Sequence, residues 1–212
     1  MAHGCGAERP EAVVPTVHIL IPAAGSSSRM RGADKLLQTV GRKPLLRRVA
    51  ETALATGAPV AVTLPPEADA RRAALAGLPL RLVEVPDAAL GMSRSLVRGI
   101  AALDPEAGPA DGVMILPADM PGFTPAALSD LIARFRAEPG LILRGGGSEG
   151  QPGHPAIFPR DFWSALMQVS GDEGGRSVLR AQPDRVRVIP LPGRMALLDL
   201  DTPEDWADFR RS

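Results

Sequence analysis

A short stretch of small and polar residues follows the first apolar run of the chain. Ala23, Ala24 and Gly25 carry almost no side chain, and Ser26 begins a series of three hydroxyls. A ligand can therefore come close to this backbone, and successive N–H groups in such a turn can form an anion-binding nest. The stretch predicts a site for the phosphates of a nucleotide.

Two cations of different kinds complete this stretch. Arg29 can bind two phosphate oxygens at once through its planar guanidinium, whereas Lys35 supplies a mobile point charge. The spacing is neither that of a Walker A loop nor that of G-x-G-x-x-G, so a dinucleotide-binding fingerprint is missing. The alternative is an ordinary strand-to-loop turn with two solvated cations.

An acidic residue that could bind a metal lies much later in the chain. Asp119 stands between Pro117 and Pro121, directly after an apolar run. Proline removes an N–H group and restricts the backbone, so the carboxylate is held in a defined place. Magnesium often uses one or two carboxylates together with substrate phosphates. Asp119 suits that role, and a turn aspartate that caps its own backbone is the alternative.

Two further acids alternate with leucines near the end of the chain. Asp199 and Asp201 lie in and just after segment 196–200, which the apolar pattern predicts to be a strand. A period of two puts both acids on one face, where they could share a metal with Asp119. Asp201 lies nearer the strand end and is the preferred ligand. The alternative is a cap-and-turn signal that leads into the last helix.

Three other segments combine glycine with polar residues. Gly91 and Ser93 open a predicted helix, where they could meet a base and a ribose, or where Ser93 or Ser95 could simply cap the helix. His154 lies in a glycine-rich stretch, 144–155, that is predicted to be a loop, and Asp172 lies in a second irregular segment. Long irregular segments inside a compact domain are more often functional than accidental. A solvated histidine and a plain acidic turn are the alternatives.

Alternating strands and helices must position these residues. The predicted strands are 17–21, 59–64, 80–85, 112–116, 141–143, 156–158, 186–189 and 196–200. The predicted helices are 44–57, 67–76, 93–103, 124–137, 161–169, 176–181 and one that begins at the Thr-Pro pair 202–203. This alternation indicates an α/β domain with a mainly parallel sheet, in which ligands bind beyond the carboxyl ends of the strands. The first turn, the Asp119 loop and the region after 85 are therefore expected to converge.

Composition narrows the class of protein. The 212 residues carry no formal net charge, which disfavours broad binding to nucleic acid or to a membrane surface. The absence of tyrosine, with five Phe and two Trp, argues against a surface of stacked aromatics. The single cysteine, Cys5, excludes an internal disulfide framework and favours a reducing, cytoplasmic location. No apolar run reaches the length of a membrane span, and residues 1–16 are predicted to be a disordered tail rather than a signal peptide.

In chain order, the polar segments resemble the motifs of a known family. They read A-A-G-S-S-S-R-M, K-L-L, G-R-K-P-L-L, G-M-S-R-S-L, P-A-D-M-P, P-G-H-P, G-D-E-G-G-R and D-L-D-T-P-E-D. This series resembles the molybdopterin nucleotidyltransferases, and above all the molybdenum cofactor cytidylyltransferase group. Ala24 fits the cytidylyl type, since guanylyl relatives tend to have glycine there. Pro22 is more like the methylerythritol cytidylyltransferases, whose Pro-Lys-Gln and D-A-x-R-P segments are missing here.

The resemblance implies a Rossmann-like, three-layer fold of the nucleotide-diphospho-sugar transferase type. It implies one nucleotidyltransferase domain over 17–212, with a nucleotide-binding half at 17–143 and an acceptor-binding half at 144–212. It also implies a Mg²⁺-dependent reaction in which a nucleoside monophosphate, CMP from CTP first of all, passes to the phosphate of molybdopterin. Pyrophosphate is the leaving group.

The resemblance also assigns roles to particular residues. Arg29, Lys35 and Asp119 would be catalytic, Asp119 and Asp201 would bind Mg²⁺, and His154 and Asp172 would face the acceptor. The nucleotide would contact the following residues: Ala23, Ala24, Gly25, Ser26, Arg29, Lys35, Gly91, Ser93 and Asp119.

Partners follow from the same resemblance. A molybdoenzyme that receives the finished cofactor is the expected client, and neither nucleic acid nor a membrane is expected as a partner. Two alternatives stay open. The acceptor could be a sugar or polyol phosphate, since few aromatics are present to stack a pterin. The protein could also be a nucleotide-binding maturation factor that hands over the cofactor without any transfer.

Overall fold

The computed structural model of the chain describes residues 14–25 and 33–211. In this part, strands and helices alternate along the chain. The strands are β1 Val17–Pro22, β2 Thr39–Val40, β3 Lys43–Pro44, β4 Val60–Leu64, β5 Arg81–Glu84, β6 Gly112–Ile115, β7 Ile142–Gly146, β8 Pro152–Pro159 and β9 Val186–Pro190. The helices are α1 Leu45–Leu54, α2 Asp69–Ala74, α3 Ser93–Leu103, α4 Pro125–Ala137, α5 Trp163–Leu166, α6 Arg176–Ala181 and α7 Pro203–Arg211.

A seven-stranded sheet in the order β5-β4-β1-β6-β8-β7-β9 forms the centre of the protein. β1 lies parallel to β4 and β6, β5 is parallel to β4, and β9 is parallel to β7. β8 runs against both of its neighbours, β6 and β7. β2 and β3 form a separate antiparallel pair. The predicted α/β class with a mainly parallel sheet is confirmed.

Helices cover both faces of this sheet. Successive side chains of a strand point to opposite faces, so Ile19 and Ile21 of β1 pack into one apolar cluster and Leu20 into another. The first cluster takes its helical side chains from α1, α4 and α7, and the second from α3, α5 and α6. All three β1 side chains are fully buried. The predicted arrangement of three layers is therefore confirmed.

The glycine-rich stretch 144–155 is not the loop that its composition predicts. β7 continues through Gly146 and β8 already begins at Pro152, so a connection of residues 147–151 is all that separates them. Glycine in a strand often marks a place where another part of the backbone comes close, and that is its role here. The loop prediction was wrong because glycine was taken as a sign of irregular structure.

Gly153→Ala is expected to lower the stability of the fold. A Cβ at position 153 would stand 2.1 Å from the carbonyl oxygen of Ala196, so β8 and the segment beside it would have to separate. We expect a loss of about 1–3 kcal/mol in the free energy of unfolding, measured in urea. Gly140→Ala is the matched control, because its Cβ would meet only Arg185, at 3.8 Å. Equal stability of the two variants would contradict this explanation.

Segment 196–200 is also not the strand that its apolar pattern predicts. The chain turns at Gly193, whose φ is 59°, and the N–H of Leu198 donates to the carbonyl of Arg194 at 2.9 Å. Among the described residues this segment joins no strand ladder, although the carbonyl of Ala196 accepts a single hydrogen bond from β8. The alternation of acids and leucines therefore does not put Asp199 and Asp201 on one strand face.

Helix boundaries agree in part with the prediction. α4 begins as predicted, because the Ala127 N–H donates to the Thr124 hydroxyl at 3.2 Å. α3 also begins where predicted, but its N-cap is Met92 and no side chain caps it, so the capping role predicted for Ser93 is wrong. The predicted helix 161–169 contains one short α-helical segment, α5.

Most of the predicted tail, 1–16, lies outside the described residues. Where the description begins, Thr16 donates its N–H to Asp111 at 2.8 Å, and Arg136 donates to the carbonyl of Pro15 at 3.0 Å. Among the helices of the described residues, none has the length and apolar character needed to cross a membrane.

Candidate active site

Lys35 lies between two carboxylates that come from distant parts of the chain. Its Nζ is 2.5 Å from Asp119 Oδ2 and 2.5 Å from Asp201 Oδ1. The three side chains are 18%, 22% and 26% exposed, so the cluster is sheltered but open to a ligand. The structure thus brings together one predicted phosphate-binding cation and the two acids predicted to bind the metal. It places Asp201, rather than Asp199, against the lysine.

Backbone hydrogen bonds hold the two acids side by side. Asp119 follows β6, and its carbonyl accepts from the N–H of Leu200 at 3.0 Å. Asp201 then precedes α7, where the Thr202 N–H donates to Asp205 at 2.8 Å and the Asp205 N–H donates to the Thr202 hydroxyl at 3.1 Å. The predicted hydroxyl cap of the last helix is confirmed by this reciprocal pair. Hydrogen bonds from Thr202 hold the pKa of Asp205 below its usual range.

A short 3₁₀ turn, Lys35–Leu37, presents the lysine. It is capped by Asp34, whose Oδ1 accepts from the N–H of Leu36 at 3.0 Å. Burial by itself would lower the pKa of Lys35, but the charges of Asp119 and Asp201 and their hydrogen bonds raise it above its ordinary 10.5. The ammonium is therefore fully charged at neutral pH.

Arg71 on α2 is buried and connects the two flanks of the first loop. Its Nε and Nη2 donate to the two oxygens of Asp34 at 2.6 and 3.0 Å, and its Nη1 donates to the carbonyls of Ala23 and Gly25 at 2.7 and 2.9 Å. Residues 26–32 run between these anchors along the chain. One side chain therefore fixes where the loop leaves β1 and where it returns to Lys35.

Residue type alone does not single out Arg71, because nothing in the composition of an Ala/Arg-rich helix separates it from Arg72. The signal that could have found it is spacing. Ala68 and Leu75, both buried, lie three residues before and four residues after Arg71, which puts this arginine on the apolar face of α2. Arg72 instead pairs with Glu84 at the surface.

The remaining residues predicted in the first turn are placed only in part. Ala23 and Ala24 are buried and Gly25 is exposed, while Ser26 and Arg29 lie outside the described residues. The Ala23 N–H donates to the carbonyl of Thr63 at 3.0 Å, so this N–H group is engaged in the sheet.

Segments predicted to bind nucleotide and acceptor meet at a second place. The Met92 N–H donates to Asp172 Oδ1 at 3.1 Å, and the Ser93 N–H donates to the carbonyl of Gly171 at 3.0 Å. Gly91 has a φ of 111°, and a Cβ there would stand 2.7 Å from the Gly171 carbonyl, so this close approach requires glycine. The hydroxyl of Ser93 is buried and has no hydrogen-bond partner among the described residues.

His154 lies on β8 and is mostly buried. Its N–H donates to the carbonyl of Ala196 at 2.9 Å, and its Nδ1 has no partner in the described part of the chain. Burial, and then the positive charge of Arg144, lower the pKa of the imidazole below its ordinary 6.5, against an opposing effect of the Asp119 charge. The ring is therefore neutral at pH 7. Segment 196–200, which accepts the His154 hydrogen bond at Ala196, also donates the Leu200 N–H to the carbonyl of Asp119, so His154 lies near the Lys35 cluster.

His154→Asn is expected to flatten the acid side of the stability profile. Because the folded-state pKa of His154 is lowered from 6.5, the unfolded chain takes up a proton first as the pH falls below that value. Wild-type protein should therefore lose stability in that window, by at most about 1.4 kcal/mol per pH unit for one group. Urea unfolding from about pH 7 to about pH 5 measures the difference between the two proteins. Parallel profiles for wild type and variant would contradict the buried, neutral imidazole.

The two carboxylates beside Lys35 fit a divalent cation that is completed by a phosphate ligand. Among the described residues, no three or more His, Cys, Asp and Glu side chains cluster as a full metal site. Asp119 and Asp201 nevertheless contact the same nitrogen, so oxygens of both lie within reach of a single ion. One or two carboxylates with substrate phosphates are the usual donors for Mg²⁺. The donor set suits a metal that arrives with a nucleotide.

Comparison with known families gives one match that covers most of the chain. The model described as MobA-like NTP transferase domain matches residues 19–186. The matched range includes Lys35, Asp119 and His154, whereas Asp201 lies beyond it.

Individual relatives agree with this match. Nicotine blue oxidoreductase of Paenarthrobacter nicotinovorans is 32% identical over 200 residues, which cover 90% of this chain and 95% of that protein. The 2-C-methyl-D-erythritol 4-phosphate cytidylyltransferase of Ralstonia nicotianae is 34% identical over 133 residues, which cover 59% of this chain and 53% of that protein. The crystal structure of Rv0371c from Mycobacterium tuberculosis has a TM-score of 0.82 and 27% identity, over 95% of this chain and 100% of that one. The crystal structure of its complex with manganese has a TM-score of 0.77 and 26% identity, over 93% of this chain and 99% of that one.

Proposed function

The chain belongs to the family of MobA-like NTP transferase domains, and from that premise we propose that it transfers CMP from CTP to the phosphate of molybdopterin. Pyrophosphate is the second product. The family makes the chain a nucleotidyltransferase, and the choice of nucleotide and acceptor is the proposed part. The observation that carries the proposal is the position of Lys35 between Asp119 and Asp201.

The reaction needs alignment and charge neutralisation more than covalent participation of the protein. An oxygen of the acceptor phosphate forms a bond to the α-phosphorus of the triphosphate, and the bond from that phosphorus to the oxygen bridging to the β-phosphate breaks. The acceptor enters as a phosphomonoester dianion, so no proton has to be removed from it. Negative charge grows on the departing pyrophosphate, and fixed cations stabilise this state.

Lys35 suits the leaving group, because its ammonium is charged and held in place. We assign it to the triphosphate and the departing pyrophosphate, together with Arg29, whose role rests on the sequence. Asp119 and Asp201 would hold Mg²⁺, which when bound neutralises phosphate charge and polarises the phosphorus–oxygen bonds. The manganese complex of Rv0371c supports a divalent cation in this family.

The remaining assignments concern the two ligands. Gly91 and Ser93, with the first turn, are proposed to lie near the nucleotide, and His154 and Asp172 near the acceptor. The hydrogen bond that joins the Gly91 segment to Asp172 supports neighbouring positions for the two ligands. The influence of Asp119 on His154 supports an acceptor site that adjoins the metal.

A sugar or polyol phosphate is the second candidate acceptor. The relative from Ralstonia nicotianae bears the name of a cytidylyltransferase for 2-C-methyl-D-erythritol 4-phosphate, and the match covers 59% of this chain. Both candidate acceptors offer a phosphate, so the chemistry at the α-phosphorus would be the same. A molybdoenzyme client belongs to the first candidate alone. For both we propose a cytoplasmic reaction, because the single cysteine favours a reducing compartment.

The deciding experiment incubates the protein with CTP, GTP or UTP and with Mg²⁺ or Mn²⁺, and follows pyrophosphate. Molybdopterin and 2-C-methyl-D-erythritol 4-phosphate are compared as acceptors, with blanks that contain no acceptor. CTP with molybdopterin should react fastest. A faster reaction with the polyol phosphate would favour the second candidate. Nucleotide binding without pyrophosphate from any mixture would reject transfer and favour a cofactor-handling maturation factor. Turnover of nicotine blue, named in one relative, is the counter-assay.

A further inference from the structure

Two arginines lie over one face of the sheet, and a histidine adjoins them. Arg144 on β7 is paired with Ala156 on β8, and paired residues of an antiparallel ladder share a face. The register of β7 and β8 shifts beyond this pair, and there Arg144 Nε donates to the carbonyl of Gly153, the residue before His154. Arg176 opens α6, and the glycine before it packs so closely on Phe158 of that face that a Cβ would stand 2.9 Å from the ring.

Among residues 14–25 and 33–211, the two arginines of this group have no acidic partner. Arg144 donates its Nε to the carbonyl of Gly153 at 2.8 Å, and within the described ranges no carboxylate is bonded to Arg144 or Arg176. The pKa of Arg144 is lowered, first by burial and then by the positive charge of Arg176. Arg144 and Arg176 lie over the same face of the sheet, so their positive charges repel each other. An anion between them would remove that repulsion.

This face ends next to the Lys35 cluster. β6 and β8 are antiparallel, with Ile115 opposite Ala156, so residues after β6 and residues early in β8 lie at the same edge of the sheet. Asp119 follows β6 at that edge, and His154 stands near the start of β8. Arg144, which pairs with Ala156, therefore lies at the same edge of the sheet as the carboxylates proposed to hold the metal.

We propose that Arg144 and Arg176 bind the phosphate of the acceptor, a phosphomonoester dianion, and that His154 lines the same subsite. This inference rests on the proposed function, because it takes the second ligand to be the nucleophile of the transfer. A guanidinium can donate to two phosphate oxygens at once, so two of them hold the dianion while one oxygen faces the α-phosphorus. An acceptor that attacks through a hydroxyl or a carboxylate carries less negative charge at that group, so this pair of cations would bind it more weakly.

The test measures the binding of two probes separately by calorimetry. Inorganic phosphate is titrated into protein saturated with Mg²⁺ and α,β-methylene-CTP, and CTP with Mg²⁺ is titrated in a second series. R144Q and R176Q should each weaken phosphate binding about tenfold or more, because each removes hydrogen bonds to a charged ligand. CTP binding should stay within about twofold of wild type.

Matched controls come from arginines that already have partners. Arg180 lies on the same helix as Arg176 and pairs with Glu173 at 2.9 Å, so R180Q controls for R176Q. Arg187 on β9 pairs with Glu138 at 2.8 Å, so R187Q controls for R144Q. R144K keeps the positive charge but loses the planar guanidinium, so it should bind phosphate with intermediate affinity. This variant also provides the test if R144Q does not fold.

Several results would overturn the subsite. Equal losses of phosphate affinity in the control variants R180Q and R187Q would do so. Loss of CTP binding instead of phosphate binding in R144Q or R176Q would also do so. Acetate that binds as tightly as phosphate would reject a phosphomonoester ligand. The outcome is distinguishable from failure of the proposed function, because binding is measured without turnover. Arginine-dependent phosphate binding in a protein that releases no pyrophosphate would support the anion subsite and reject the transfer.

Discussion

Asp119→Asn should reduce pyrophosphate release with Mg²⁺ by roughly a thousandfold while the fold stays intact. The substitution replaces a negative oxygen next to Lys35 by a neutral amide, so it removes a proposed metal ligand and leaves Asp201 to hold the ion alone. The fold should survive because the side chain is 22% exposed and the bond from Leu200 reaches the backbone carbonyl of Asp119.

The measurement is the rate of pyrophosphate release with saturating nucleotide, together with the midpoint of thermal unfolding. Asp130→Asn is the control, because Asp130 is an exposed acid that pairs with Arg134 on α4, and it should leave both quantities unchanged. Activity of Asp119→Asn close to that of the control, with Mg²⁺ present, would show that this carboxylate has no part in the reaction.

Arg71→Met should have the largest effect on stability of the variants considered, and it should also weaken nucleotide binding. It removes four hydrogen bonds at once, two to Asp34 and one each to the carbonyls of Ala23 and Gly25. Breaking a buried pair by removing one partner costs about 3–5 kcal/mol, and the partial exposure of Asp34, 26%, puts this case near the lower value.

The second effect separates a positioning role from a structural one. Because Arg71 fixes both flanks of the first loop, its loss should raise the KM for the nucleotide by about tenfold or more at a temperature where the variant is folded. Arg72→Met is the control, because Arg72 adjoins Arg71 in the chain but forms a surface pair with Glu84. Arg71→Lys keeps a charge but not the fork, and it should recover part of the stability. Equal KM values for the two methionine variants would leave Arg71 a purely structural residue.

The sequence predicted the site where local rules determine the outcome. β1 ends in small residues, β6 ends before Pro117, and parallel strands bring their carboxyl ends to one edge, so Lys35 and Asp119 could be expected to meet. The Thr-Pro start of α7 likewise placed Asp201 at a helix end, where the structure has it.

Long-range packing determined what the sequence did not predict. Gly145 and Gly153 look like loop residues until the chain segments that press on them are known. Segment 196–200 has the alternation of a strand, but within the described residues it joins no ladder of the sheet. Arg71 is one arginine among several until α2 is docked, and its four bonds reach residues far away in the sequence. In each case the missing information was which distant backbone lies alongside.

The hydrogen bond from Leu200 to the carbonyl of Asp119 has a consequence for the order in which the acidic pair can assemble during synthesis. Asp201 follows every strand of the seven-stranded sheet in the chain, so a growing chain that has finished those strands still lacks one of the two carboxylates. We therefore expect the proposed metal site to be complete only after segment 196–200 has docked against Asp119. For the same reason, a cut between residues 143 and 144 would leave neither piece with both carboxylates.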